Sequence, residues 1–164
     1  MTAHSLPAAI DVGRLRADDD IAGGQSATEG PRGPTVRTTV ALRWSDLDLL
    51  GHVNNARILT LLEEAGFAFH DALRRDHPAS LPDTGRVVAR WEVDYIRPVL
   101  RGADVEVTTT RLSLGRSSYR LGYVCEQDGR VAVEAVSVLV RVDADGQALP
   151  LSDAEVRLLN TEIR

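Results

Sequence analysis

Residues 55–73 read NARILTLLEEAGFAFHDAL, and the spacing of their apolar side chains decides the fold. Ile58, Leu61, Leu62, Ala65, Phe69, Ala72 and Leu73 recur at intervals of three and four, which makes one continuous apolar stripe on a helix. Asn54 or Asn55 suits the N-cap, because a short amide side chain can accept from the free amides of a first helical turn. Pro78 and Pro82 end the helical region and mark a loop. Phe67 falls opposite the stripe, so the loop at 76–84 or a partner subunit is expected to cover it. Glu63 and Glu64 face away from the stripe as well.

On both sides of this helix the period changes to two. Upstream, Val36, Thr38, Val40, Leu42 and Trp44 share one face and Arg37, Thr39, Ala41 and Arg43 the other, as in a half-buried strand. Downstream, Val87, Ala89, Trp91, Val93 and Tyr95 alternate with Val88, Arg90, Glu92, Asp94 and Ile96. Three more strands are predicted over 104–112, 117–126 and 131–142, joined by turns at Leu114-Gly115-Arg116 and Asp128-Gly129. The predicted order is strand, long helix, then four strands in an antiparallel meander. One striped helix and five strands with one apolar face each pack most economically as a sheet wrapped around the helix, an α+β fold. Residues 1–35 lack such patterning and carry Asp18-Asp19-Asp20, Gly23-Gly24 and Gly30-Pro31. They are expected to form a disordered tail ahead of a single domain over 36–164.

Composition narrows the functional classes. All 19 basic residues are arginine, and with 24 acidic residues the net charge is −5, which argues against a nucleic-acid partner. Cys125, the one cysteine, excludes an internal disulfide and a multi-cysteine metal site and suits a reducing cytoplasm. It shares a strand face with Tyr119, Leu121 and Tyr123, the position of a buried structural thiol. The chain has neither an apolar run of about 18 residues nor a signal-peptide pattern, so a cytoplasmic protein without a membrane partner is expected.

The densest polar cluster is Asp46-Leu47-Asp48-Leu49-Leu50-Gly51-His52-Val53-Asn54-Asn55, at the junction between the first strand and the helix. Two readings are open on spacing alone. Asp46 and Asp48 are turn and capping residues and His52 a half-buried one; or a carboxylate beside the positive helix end serves as base or nucleophile in acyl transfer. Asp46, Asp48 and His52 would need further ligands to hold a metal, and no metal is expected.

The run Arg43 to Asn55, followed by Leu59 and Glu63-Glu64-Ala65, resembles the hotdog-fold acyl-CoA thioesterases of the 4-hydroxybenzoyl-CoA thioesterase type. Asp94-Tyr95-Ile96-Arg97-Pro98-Val99 with Arg101-Gly102-Ala103-Asp104, Gly115-Arg116-Ser117-Ser118-Tyr119, and Pro150-Leu151 with Glu155 carry the likeness over residues 36–160. The resemblance implies a cofactor-free hydrolase that converts an acyl-CoA, or an acyl carrier protein thioester, to a carboxylic acid and a free thiol. It further implies an intertwined homodimer or homotetramer with active sites at subunit interfaces. Asp48 matches the family's catalytic carboxylate, and the helix-start amide at Asn55 matches the group that polarises the thioester carbonyl. His52 and Asn54 match motif positions whose role varies between subfamilies. Leu50 stands where the related plant acyl-carrier thioesterases have a functional asparagine, which argues against their mechanism, and Ile58 departs from a common tyrosine.

For the coenzyme A phosphates the candidates are Arg57, Arg97, Arg101 and Arg116, whose guanidinium forks match phosphate oxygens. Ser117 and Ser118 are candidates for the pantetheine or phosphate arm. The chain has no Gly-x-Ser-x-Gly, which excludes a serine thioesterase. The rival readings are a non-catalytic acyl-CoA-binding protein and a hotdog enoyl-CoA hydratase, although the hydratase segment Asp-x-Asn-x-x-His is absent.

Overall fold

The computed structural model describes residues 33–76 and 85–161. The expected tail, apart from its last three residues, and the prolines at 78 and 82 lie outside the described residues. The elements are β1 (Thr35–Val40), a 3-10 turn (Trp44–Asp46), α1 (Asn55–Asp76), β2 (Arg86–Tyr95), β3 (Val105–Leu114), β4 (Ser118–Gln127), β5 (Arg130–Arg141) and α2 (Asp153–Leu159). The five strands form one sheet in the order β1-β3-β4-β5-β2 with every neighbouring pair antiparallel.

The stripe on α1 is buried as its spacing requires: Ile58, Leu61, Leu62, Ala65, Phe69 and Leu73 are at most 2% exposed, though Ala72 is only half-buried. They pack with Val105, Val107, Tyr119, Leu121, Cys125 and Val133, so that the core lies between the helix and one face of the sheet. Each such aliphatic side chain taken fully out of water contributes about 1.5–3 kcal/mol before entropic costs. Burial pushes the Cys125 thiol up to about 11, which keeps it protonated and structural. Phe67 is 66% exposed among the described residues.

Two expectations need correction. The four later strands are not one meander: β3, β4 and β5 follow in hairpins, but β2 pairs with β5 at the far edge. Alternation reports which face a residue occupies and carries no information about lateral neighbours. Turn chemistry does carry it, and Asp128-Gly129, with φ of 51° and 69°, makes the β4–β5 hairpin tight. Nor does the first strand run on to Trp44. It stops at Val40, and Trp44 is 82% exposed in the 3-10 turn. Asp46 causes the turn, because its Oδ2 accepts from the Arg43 amide at 2.8 Å and bends the chain back on itself.

The sheet end remote from that turn is closed by α2. A capping box between Ser152 and Glu155 starts this helix, and buried Glu155 meets Arg141 at 3.3 Å. Buried Arg111 donates through Nε to the Leu159 carbonyl at 2.9 Å and through Nη2 to Asn160 Oδ1 at 2.7 Å. Among the described residues, no helix is long and apolar enough to cross a membrane.

Candidate active site

The segment between the 3-10 turn and α1 is a tight loop held at its base. Leu47 bridges to Val53, the Asp48 amide donates to the His52 carbonyl at 2.8 Å, and the Gly51 amide donates to the Asp48 carbonyl at 3.1 Å. Gly51 sits at φ 77°, a left-handed conformation that a side chain would strain. This loop aims the Asp48 carboxylate: Oδ1 accepts from the Leu50 amide at 2.8 Å and the His52 amide at 3.2 Å. Oδ2 has no partner among the described residues.

The start of α1 lies alongside. Asn54 is the cap, its Oδ1 accepting from the Ala56 amide at 2.9 Å and its carbonyl from the Arg57 and Ile58 amides. The Asn54 amide is itself bonded to the Asp46 carbonyl at 2.8 Å. Of the first-turn amides from Asn54 to Arg57, the one at Asn55 alone has no acceptor among the described residues. It therefore carries the free positive end of the helix.

The chain leaving β2 forms the opposite wall. The Val53 amide donates to the Val99 carbonyl at 2.8 Å, His52 bridges to Leu100, and the Tyr95 hydroxyl donates to the Asn55 carbonyl at 3.1 Å. A cavity of about 180 Å³ results, bordered by Asp48, His52 and Asn55 on one side and by Tyr95, Arg97 and Val99 on the other. A second cavity of about 410 Å³ adjoins it, sharing Arg97 and Pro98 and adding Arg130. Gln127 fixes its rim by donating from Nε2 to the carbonyls of Leu100 and Ala103 while Oε1 accepts from the Leu100 amide.

Asp48, His52, Asn55 and Arg97 are thus brought together. Asn54 has a capping role and borders neither cavity, and exposed Arg57 stands one turn beyond it. Arg101 is exposed and borders neither cavity. Arg116, Ser117 and Ser118 are elsewhere: Ser118 and Gln127 are opposite ends of β4, roughly 30 Å apart at strand rise. Ser117 and Ser118 are also buried, 2% and 3% exposed. Glu64 pairs with Arg43 at 2.6 Å, and neither it nor Glu63 borders the Asp48 cavity. Sequence reasoning did not single out Tyr95, Gln127 or Arg130 as site residues. Their signal was positional, since Tyr95 ends a strand and the other two flank the Asp128-Gly129 turn. Among the described residues, no group of three His, Cys, Asp or Glu side chains gathers as a metal site would require.

The sequence model of the thioesterase-like superfamily matches residues 42–158, which span the whole site. The long-chain acyl-CoA thioesterase FadM of Escherichia coli is 28% identical over 127 residues, 74% of this chain and 94% of that protein. A 1,4-dihydroxy-2-naphthoyl-CoA hydrolase of Synechococcus elongatus is 32% identical over 85 residues, covering 50% of this chain and 62% of that one. Among solved structures, a Thermus thermophilus thioesterase complexed with coenzyme A and zinc is 37% identical, with a TM-score of 0.64 over 75% of this chain and 90% of that one.

Proposed function

The chain belongs to the thioesterase-like superfamily and is a hotdog-fold thioester hydrolase, and on that premise we propose that it cleaves an acyl-CoA at the Asp48 loop. The products are a carboxylic acid and free coenzyme A. What carries this reading is that the Asp48 carboxylate and the unbonded Asn55 amide border one small cavity.

A thioester carbonyl is less resonance-stabilised than that of an ester, so a carboxylate and one oxyanion-binding amide suffice. Two amides hold Asp48 Oδ1 in place, which leaves Oδ2 to take the proton of an attacking water or to attack the carbonyl carbon itself. Negative charge then develops on the carbonyl oxygen at the positive end of α1, where the Asn55 amide meets it. The C–S bond breaks and the thiol of coenzyme A departs. Arg97 and Arg130, which border the adjoining cavity, suit the phosphates of the coenzyme.

The site is also the basis for proposing a homodimer. Leu49, Leu50, Tyr95, Ile96 and Leu100 cluster around it, all at least 47% exposed. Among the described residues, β2 has a strand partner on one side only. Of Arg116, Ser117 and Ser118 only Arg116 is exposed, and its distance from the Asp48 cavity within one chain leaves a second copy as its route to this substrate.

Thiol release from short, medium, long and aromatic acyl-CoAs tests the activity, with wild type and Asp48→Asn side by side. We expect turnover on at least one member and a loss of about 100-fold or more in the variant. Near-normal turnover by Asp48→Asn would overturn the assignment of Asp48. Tight acyl-CoA binding without any release would favour a non-catalytic binder.

A further inference from the structure

Beyond Tyr95 the seam between α1 and β2 continues away from the catalytic end. The two elements run antiparallel, with Asn55 bonded to Tyr95 at one end and Arg74 beside Arg86 at the other. A cavity of about 190 Å³ opens in this seam. Phe67, Val88, Trp91 and Leu139 supply apolar walls, and Arg74 and Arg86 border it with His70 between helix and sheet.

The charges around it do not balance. Arg74 already meets Asp71 at 3.4 Å. His70 contributes no charge, because burial and the two neighbouring guanidinium groups hold it down at about 3. Its Nε2 is instead 2.7 Å from the Tyr119 hydroxyl, which burial keeps protonated. Glu63 borders the cavity from the exposed face of α1 and acts on Tyr123. Arg86 differs in having no counter-charge: among the described residues no carboxylate lies within ion-pair distance of it, and its Nη1 is buried without a hydrogen-bond partner. Arg86 lines the cavity without a counter-ion, so an anion seated there meets an uncompensated guanidinium group.

We propose that this cavity binds a carboxylate borne on an apolar body, with the carboxylate on Arg86 and the body against Phe67, Val88 and Trp91. Two sources share that chemistry. One is the far end of the acyl chain of a bound thioester; this arm rests on the acyl-CoA reading above. Helix rise puts Arg74 about 28 Å from Asn55, so within one chain such an acyl group is long. The other is a free carboxylic acid, the class of molecule that hydrolysis itself releases.

The test has two arms, each run on wild type, Arg86→Gln and Arg86→Lys. The first compares KM for thiol release from two long-chain acyl-CoAs of equal length, one ending in a carboxylate and one in a methyl group. The second titrates Trp91 fluorescence, in a Trp44→Phe background that leaves one tryptophan, with a long-chain carboxylic acid and the matching alcohol. The carboxylate ligand is expected to be favoured at least about tenfold, the effect of one charge-assisted hydrogen bond. Arg86→Gln should abolish the preference and Arg86→Lys retain most of it. A preference in the first arm assigns the acyl terminus, and one in the second arm alone assigns a free acid. Equal treatment of carboxylate and neutral ligand in both arms, or a preference that survives Arg86→Gln, overturns the proposal. If no thioester is cleaved at all, the activity reading fails while the fluorescence arm still decides this one.

Discussion

Asp46 and Asp48 stand two residues apart in the sequence, yet their surroundings differ. Asp46 is 3% exposed, and its carboxylate and carbonyl oxygens take the amides of Arg43 and Asn54, so it shapes the loop. Asp48 is half-buried and keeps Oδ2 unbonded at the cavity. Replacing Asp46 with alanine leaves the Arg43 amide without its acceptor and is expected to cost about 1–3 kcal/mol, read as a lower urea midpoint at unchanged slope. Asp48→Asn should leave that midpoint within about 0.5 kcal/mol of wild type while removing activity. A variant of Asp46 as stable as wild type would refute the structural role. Both the capping and the catalytic reading were legible in the run from Asp46 to Asn55, but spacing alone did not say which carboxylate took which, and only the family resemblance pointed to Asp48. That choice is made by the bridge between Leu47 and Val53 and by the Asn54 amide reaching back to Asp46, contacts that spacing does not encode. The free amide at Asn55 was half legible: a helix start always leaves amides free, but the sequence left the cap open between Asn54 and Asn55, and the structure gives it to Asn54.

Between elements, one buried junction ties α1 to the sheet: His70 is hydrogen-bonded to Tyr119 of β4. The T-shaped packing of His70 against Phe69 and Tyr119 surrounds the imidazole with rings. With a folded value near 3 against 6.5 when unfolded, His70 binds a proton more readily in the unfolded chain. Its contribution is therefore fully present above about pH 6.5 and is lost as the pH falls toward 3, with a slope of at most about 1.4 kcal/mol per pH unit. Thermal unfolding between pH 7 and pH 5, above the range of most carboxylates, should show wild type losing stability and His70→Gln losing much less. Parallel curves would exclude His70 as the cause. The long helix and the five strands were visible in the sequence, since a period of 3.6 or 2 survives whatever packs against it, whereas the seven-residue α2 and the 3-10 turn are too short to show one. The lateral order of the strands was not visible. The two hairpins announced themselves through Gly115 and Asp128-Gly129, whereas the placement of β1 and β2 at opposite edges depends on contacts between residues far apart in the chain, Thr35 with Thr110 and Arg86 with Arg141.

For the whole molecule, the separation of Arg116, Ser117 and Ser118 from Asp48 turns an oligomeric question into a catalytic one. Among the described residues a ten-residue strand, β2, ends the sheet with one side unpaired, and Tyr95 at its end borders the candidate catalytic cavity. A second copy docked along that edge would bury the exposed Ile96 and Leu100 beside the site and satisfy the open strand. Sedimentation is accordingly expected to give a species of twice the chain mass or a multiple of it. Mixing tests whether the site is shared. Subunits carrying Asp48→Asn and subunits carrying Arg116→Ala are each impaired at low acyl-CoA concentration. If each site combines Asp48 of one chain with Arg116 of the other, a mixed dimer contains one intact site. Random reassociation of equal amounts then restores about a quarter of wild-type activity, because half the dimers are mixed and each has one working site of two. If both residues serve the same chain's site, every mixed dimer holds one site of each defective kind, and the mixture gives only the mean of the two parents. The second result would assign Arg116 to the same subunit's site as Asp48, whereas an Arg116→Ala parent as active as wild type would leave Arg116 with no part in it.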